Sequence, residues 1–165
     1  MASLELPFPR GTTWDSGSLG PVPKNILGSV YDLGDGTRLQ ICRNVDPAAL
    51  VGGRISRLNA SGGSAAVNEC SGAGDIRNYG VCDPAYADAG VTVPANSLFY
   101  NQVAGITRIR AGASMNAGVA ITPHATDGHY GVATTISVAP MAVVGTLLAN
   151  TASGALGRVL MRPVI

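Results

Sequence analysis

Two imidazoles and a carboxylate fall close together in the stretch Pro123-His124-Ala125-Thr126-Asp127-Gly128-His129-Tyr130. Side chains of these types on a loop leading into a strand could surround a divalent metal, or serve a hydrolase with His124, Asp127 and His129 as its polar centre. No further firm ligand follows, and the H-E-x-x-H helix of zinc proteases is absent, so a pair of surface histidines at a turn is the plainer reading. A serine nucleophile is no better supported. Gly62-Gly63-Ser64-Ala65-Ala66 and Gly112-Ala113-Ser114-Met115-Asn116 both lack the closing glycine of G-x-S-x-G. The glycine-rich stretches separate strand patterns instead of opening a helix, and no G-x-x-x-x-G-K-[ST] appears, so a phosphate cradle is not indicated. Asp75, Asp83 and Asp88 do not have the spacing of a calcium loop and read as turn formers. With only Glu5 and Glu69 beside eight aspartates, paired carboxylates for glycoside cleavage have little support. Cys42, Cys70 and Cys82 are odd in number and show no CxxC spacing; buried thiols are the simplest reading, with a Cys70–Cys82 bridge left open. The expectation is a protein that is not an enzyme and has neither metal nor cofactor.

The composition that must carry these residues is unusual. Charged residues are 13% of 165, against about a quarter in ordinary soluble domains, while 46% are apolar. So few charges cannot coat a free monomer of this size, which points to a subunit of an assembly. The net charge is +1 with Lys24 as the one lysine and no basic run, which argues against nucleic-acid binding. The amino terminus has neither the basic start nor the apolar core of a secretory signal, so export is not indicated. Gly131 to Leu156 contains no ionisable side chain. Pro140, Gly145 and its scattered Thr, Ser and Asn residues argue against a membrane helix. The alternation of Val132, Thr134, Ile136 and Val138 against Ala133, Thr135, Ser137 and Ala139 predicts a strand with no wet face, covered in part by other chains.

Residues 1–24 read as an extended, proline-rich arm preceding a single β domain over 25–165. Pro7, Pro9, Pro21 and Pro23 interrupt any ladder, and Leu4, Leu6, Phe8, Arg10 and Trp14 are the candidate partner contacts. Trp14 could equally cap the chain's own core. From Asn25 onward the pattern is that of strands. Ile26–Leu33 and Thr37–Arg43 flank Gly34-Asp35-Gly36, a hairpin signal. Asp46-Pro47 predicts one helical turn ending at Gly52-Gly53. Short strands follow over 54–59 and 65–70, then a loop-rich middle over 72–90 with a strand around 75–81. Ser97–Val103 and Ile106–Arg110 form two strands divided at Gly105 by a bulge or kink. After Gly118–Thr122, the closing segment 158–165 puts Arg158, Leu160, Arg162 and Val164 on one face and Val159, Met161 and Ile165 on the other. Eight to ten short strands without a long helix or internal repeat make an all-β fold, an antiparallel β-sandwich or small partly open barrel of jelly-roll, Ig-like or tulip-like type.

Residues 91–165 carry a sequence of features: Val93-Pro94-Ala95, then Phe99-Tyr100, then Gly105, then Val144-Gly145-Thr146-Leu147-Leu148, then Gly157 to Leu160. In this order they resemble the capsid decoration (cement) proteins of tailed bacteriophages, as does Trp14 followed by a glycine-rich stretch and ILGSVYDLGDG. The resemblance implies a non-enzymatic protein, made in the host cytoplasm, that sits on the outer capsid surface of the virion. It implies binding to the major capsid protein, self-association as a homotrimer, and stabilisation of the shell against internal DNA pressure, with no nucleic acid or membrane as partner. The alternatives are a phage tail, fibre or adhesin tip module that binds a host surface, and a small hydrolase around the two histidines.

Overall fold

The computed structural model describes residues 5–15, 26–59, 66–69, 78–124, 128–132 and 143–162. These hold strands β1 (Val30–Asp32), β2 (Arg38–Asn44), β3 (Leu50–Val51), β4 (Ile55–Leu58), β5 (Ala66–Glu69) and β6 (Asn78–Cys82), then one helical turn, α1 (Ala85–Asp88). There follow β7 (Thr92–Val93), β8 (Leu98–Arg110), β9 (Ala120–Pro123), β10 (Tyr130–Val132), β11 (Gly145–Leu147) and β12 (Leu156–Met161). The fold is all-β, as the alternation predicts. Strands exceed the expected number partly because β3 and β7 have two residues each, too few to show a period.

One strand organises the rest. β8 runs for 13 residues, and its first half pairs with β2 on one edge and β6 on the other. The pairings β2–β5, β5–β4, β4–β6 and β6–β8, closed by β8–β2, make a ring of five strands. All are antiparallel except β2–β5, so the fold departs from a purely antiparallel one at that pair. The second half of β8 pairs with β12, and the order continues β12–β11–β9–β10. That row curls back on β8 through an Ala111–Tyr130 bridge, with the Gly112 N–H donating to the Tyr130 carbonyl at 2.9 Å. Two apolar clusters fill the fold: one around Leu39, Ile41, Tyr86, Phe99 and Tyr100, the other around Ile109, Ile121, Tyr130, Leu147 and Val159, reaching into the ring through Ile55 of β4 and Val81 of β6.

Local chemistry explains most of these elements. The β1–β2 hairpin forms where Gly34-Asp35-Gly36 predicts it. Gly34 and Gly36 take φ of 83° and 86°, and the Asp32 and Asp35 carboxylates cap the turn by accepting the N–H groups of Gly34 and Thr37. In β12, Val159 and Met161 point inward while Arg158, Leu160 and Arg162 point out, as their alternation requires.

Gly105 does not end a strand: β8 passes through it at φ 93°, where it leaves β2 for β12. A Cβ there would sit 2.7 Å from the Gly36 carbonyl, so only glycine lets the two backbones meet. The helical turn expected after Asp46 is absent. Asp46 instead accepts the Ala48 N–H at 3.1 Å in an Asx turn, and the buried Asn44 amide ties that turn to the carbonyls of Ala48, Val93 and Pro94. Pairing Leu50 with Val93 then satisfies backbone that a lone helical turn would leave open. The one helical turn among the described residues, α1, falls in the middle read as loop; the Asp83 carboxylate accepts the N–H of its first residue, Ala85, at 3.2 Å. The strand predicted over 132–139 lies, beyond Val132, outside the described residues, as does Cys70. Cys42 and Cys82 are buried. Among the described residues no helix is long and apolar enough to cross a membrane.

Candidate interaction surface

Of the set His124, Asp127 and His129, the structure describes the two histidines. His124 and His129 face each other across the β9–β10 connection, the His124 N–H donating to the His129 carbonyl at 2.9 Å. Neither is the exposed turn histidine that the sequence suggests. His129 is buried, and the His124 ring lies against the backbones of Gly112 and Gly131, where a Cβ on either glycine would overlap it. Asp127 lies outside the described residues. Among those described, no three of His, Cys, Asp and Glu come together in a way that could hold a metal. Burial pushes the Cys42 thiol well above its ordinary range, which makes it a poor nucleophile.

The arm residues, by contrast, do assemble. Residues 5–15 lie as a strap over the first cluster. Phe8, 4% exposed, stacks on Tyr100 with ring centroids 4.3 Å apart and meets the edge of Trp14 at 5.9 Å. Leu6 and Trp14 are partly buried against the same cluster, and Leu4 lies outside the described residues. Trp14 exchanges backbone hydrogen bonds with Leu98 at 2.9 and 2.8 Å, which adds the strap to the start of β8. Two tyrosine hydroxyls fasten the strap from below. Tyr100 donates to the Phe8 carbonyl at 2.8 Å; Tyr86 donates to the Thr12 carbonyl at 2.9 Å while accepting the Tyr100 N–H. Burial raises the pKa of both phenols, that of Tyr100 to about 12.

Arg10 completes the strap. Its guanidinium grips the fully buried Asp83 carboxylate through two 2.7 Å bonds in a fork geometry. That bond is also the main reason the Arg10 pKa is raised. Beside this pair lies a shallow groove of about 440 Å3 bordered by Arg10, Asp88, Gln102, Ile106, Arg108 and Arg158. Arg108 bonds Asp88 there and holds its carboxyl below the usual range. Three guanidinium groups thus meet two carboxylates, and Arg158 has no acidic partner among the described residues. An open groove bordered by arginines presents guanidinium groups that can recognise an anion or a carboxylate.

No family model matches the chain, and no curated protein matches its sequence. Among solved structures, the crystal structure of the head fibre gp8.5 N base of bacteriophage phi29 aligns with a TM-score of 0.54 at 15% identity, over 76% of this chain and 94% of that one. The fold resembles a phage head-fibre base. At that identity the likeness is one of fold, with nearly the whole of the phage chain covered.

The sequence identified the strap's apolar residues but not what they rest on. It gave no sign of the Arg10–Asp83 pair, whose members lie 73 residues apart. The Asp-Pro dipeptide at 83–84 signals a turn, and nothing local distinguishes a turn-forming aspartate from one buried under an arginine.

Proposed function

We propose that this chain is a non-enzymatic structural protein of a tailed-phage virion. It sits on the outer surface of the icosahedral head and binds the major capsid protein, and its copies, as trimers, brace neighbouring capsomers against the pressure of packaged DNA. The observation that carries this reading is the likeness of fold to a head-fibre base, over 94% of that chain. It agrees with the motif order over 91–165 and with a composition too poor in charge for a solitary monomer. In a cement role each contact can be weak. Many copies bound to one shell act together, and a protein that binds the assembled shell better than free subunits stabilises it by mass action.

A second reading is favoured by the neighbour itself: the chain would be the base of an appendage standing on the same surface. Heating distinguishes the two. Shells carrying this protein should rupture and release DNA at a higher temperature than shells without it if it is a cement. Equal rupture temperatures with the protein still bound would leave the fibre-base reading and remove the cement one.

A further inference from the structure

The outer face of β12 and its two neighbours presents a patch that the fold itself does not use. Register places Ile106 of β8 opposite Leu160 of β12, and Leu160 opposite Thr146 of β11, so these side chains form one row across three strands. The next row is Arg108, Arg158 and Leu148, the last joined to Arg158 by a 2.8 Å backbone bond. Ile106, Leu148 and Leu160 are 46%, 40% and 49% exposed, and they are half of the large apolar residues exposed among those described. The same strands bury Ile109, Val159, Met161 and Leu147 on the other side, so the exposed set belongs to a rigid sheet.

Arg108 and Arg158 stand directly opposite each other, an arrangement that costs stability in a sheet when nothing neutralises it. Asp88 answers Arg108 alone. The remaining positive charge, on Arg158, lies on this apolar face where Ile106, Arg108 and Arg158 border the groove. Meanwhile Phe8, the strap's best anchor, is already covered by this chain.

We infer that this face, centred on Leu160 and Arg158, docks onto an acidic, apolar-flanked segment of the shell's subunit, a carboxylate meeting Arg158 and apolar side chains covering Ile106, Leu148 and Leu160. A two-fold contact with a second copy does not fit the face, because it would set arginine against arginine. A trimer contact through the same face would show as loss of the trimer in sedimentation of Leu160→Asp and Arg158→Glu without shells, and that result would overturn the docking face. The inference rests on the reading of the chain as a head-surface protein, and it assigns the contact that reading needs. Patches with arginine at an apolar centre concentrate binding energy in a few residues.

The experiment uses the full chain and purified shells that lack it, measured by co-sedimentation. Leu160→Asp and Arg158→Glu should each weaken binding by about tenfold or more, whereas Val91→Asp, at an exposed apolar position outside the patch, should bind as wild type. Arg158→Glu should also keep or raise the melting temperature, since it removes the like-charge opposition, so lost binding cannot be put down to misfolding. Added salt should weaken wild-type binding more than that of Arg158→Glu. Wild-type binding with unaffected Leu160→Asp and Arg158→Glu variants would overturn the docking face alone. No binding by the wild type would overturn the head-surface reading and the docking face with it.

Discussion

Replacing Phe8 by alanine asks whether the strap is part of the fold. The substitution removes a ring that is 4% exposed, stacked on Tyr100 and edge-on to Trp14, yet it leaves intact the backbone bonds from the Tyr100 hydroxyl to Phe8 and from Trp14 to Leu98. The loss is therefore that of the side chain: transfer, packing and the cavity left behind. Buried Phe→Ala changes cost about 3–5 kcal/mol. For a chain of this size each kcal/mol moves the melting temperature by about 2–4 °C, so a fall of roughly 6–20 °C is expected by calorimetry or circular dichroism. Arg10→Ala should cost about as much, because it strands a fully buried carboxylate at Asp83. Leu160→Ala, at a site 49% exposed, should shift stability by less than about 0.5 kcal/mol and serves as the control. If Phe8→Ala melts within about 1 kcal/mol of wild type, the strap does not rest on the core and the packing argument fails.

Three further outcomes follow from buried groups and backbone geometry. The Thr107 hydroxyl is buried with no hydrogen-bond partner among the described residues, so the isosteric Thr107→Val should raise stability by about 1 kcal/mol in urea denaturation; a loss of that size would mean the hydroxyl is satisfied. Gly105→Ala should lose at least about 2 kcal/mol, since it adds a Cβ 2.7 Å from the Gly36 carbonyl at a φ of 93°. Alkaline pH should unfold the protein. Burial raises the phenol pKa values of Tyr79, Tyr86, Tyr100 and Tyr130 above the ordinary 10, that of Tyr100 to about 12. The unfolded chain therefore loses protons first, and stability present below pH 10 should fall between pH 10 and about 12. Tyr100→Phe should make that fall shallower in a pH series of melting curves, and an unchanged slope would contradict the assignment.

The parts of the fold visible in the sequence are those set by neighbours along the chain. Asp35-Gly36 announced the first hairpin, and the alternation from Arg158 to Met161 gave the inner and outer faces of β12 correctly. What stayed hidden depends on contacts between distant residues. No local signal shows that β8 continues through Gly105, because the reason is a second backbone, that of Gly36, pressed against it. The same holds for the ring closure, where β8 joins β2, about sixty residues earlier in the chain. The fate of the arm was illegible for another reason. Phe8 and Trp14 have the composition of an interface anchor whether the surface beneath them belongs to this chain or to a partner, and here Tyr100 and Leu98 supply it. The outer patch was half visible: the pattern put Leu160 and Arg158 on one face, but only the register with β8 sets them opposite Ile106 and Arg108.

The most direct measurement is an electron cryomicroscopy reconstruction of the purified phage particle, with this chain's density located and its copies counted. The account predicts density on the outside of the head, repeated as trimers over the lattice at hundreds of copies, with the β8–β12–β11 face turned toward the shell. Density confined to the tail, density inside the head, or no copies in the particle would contradict it.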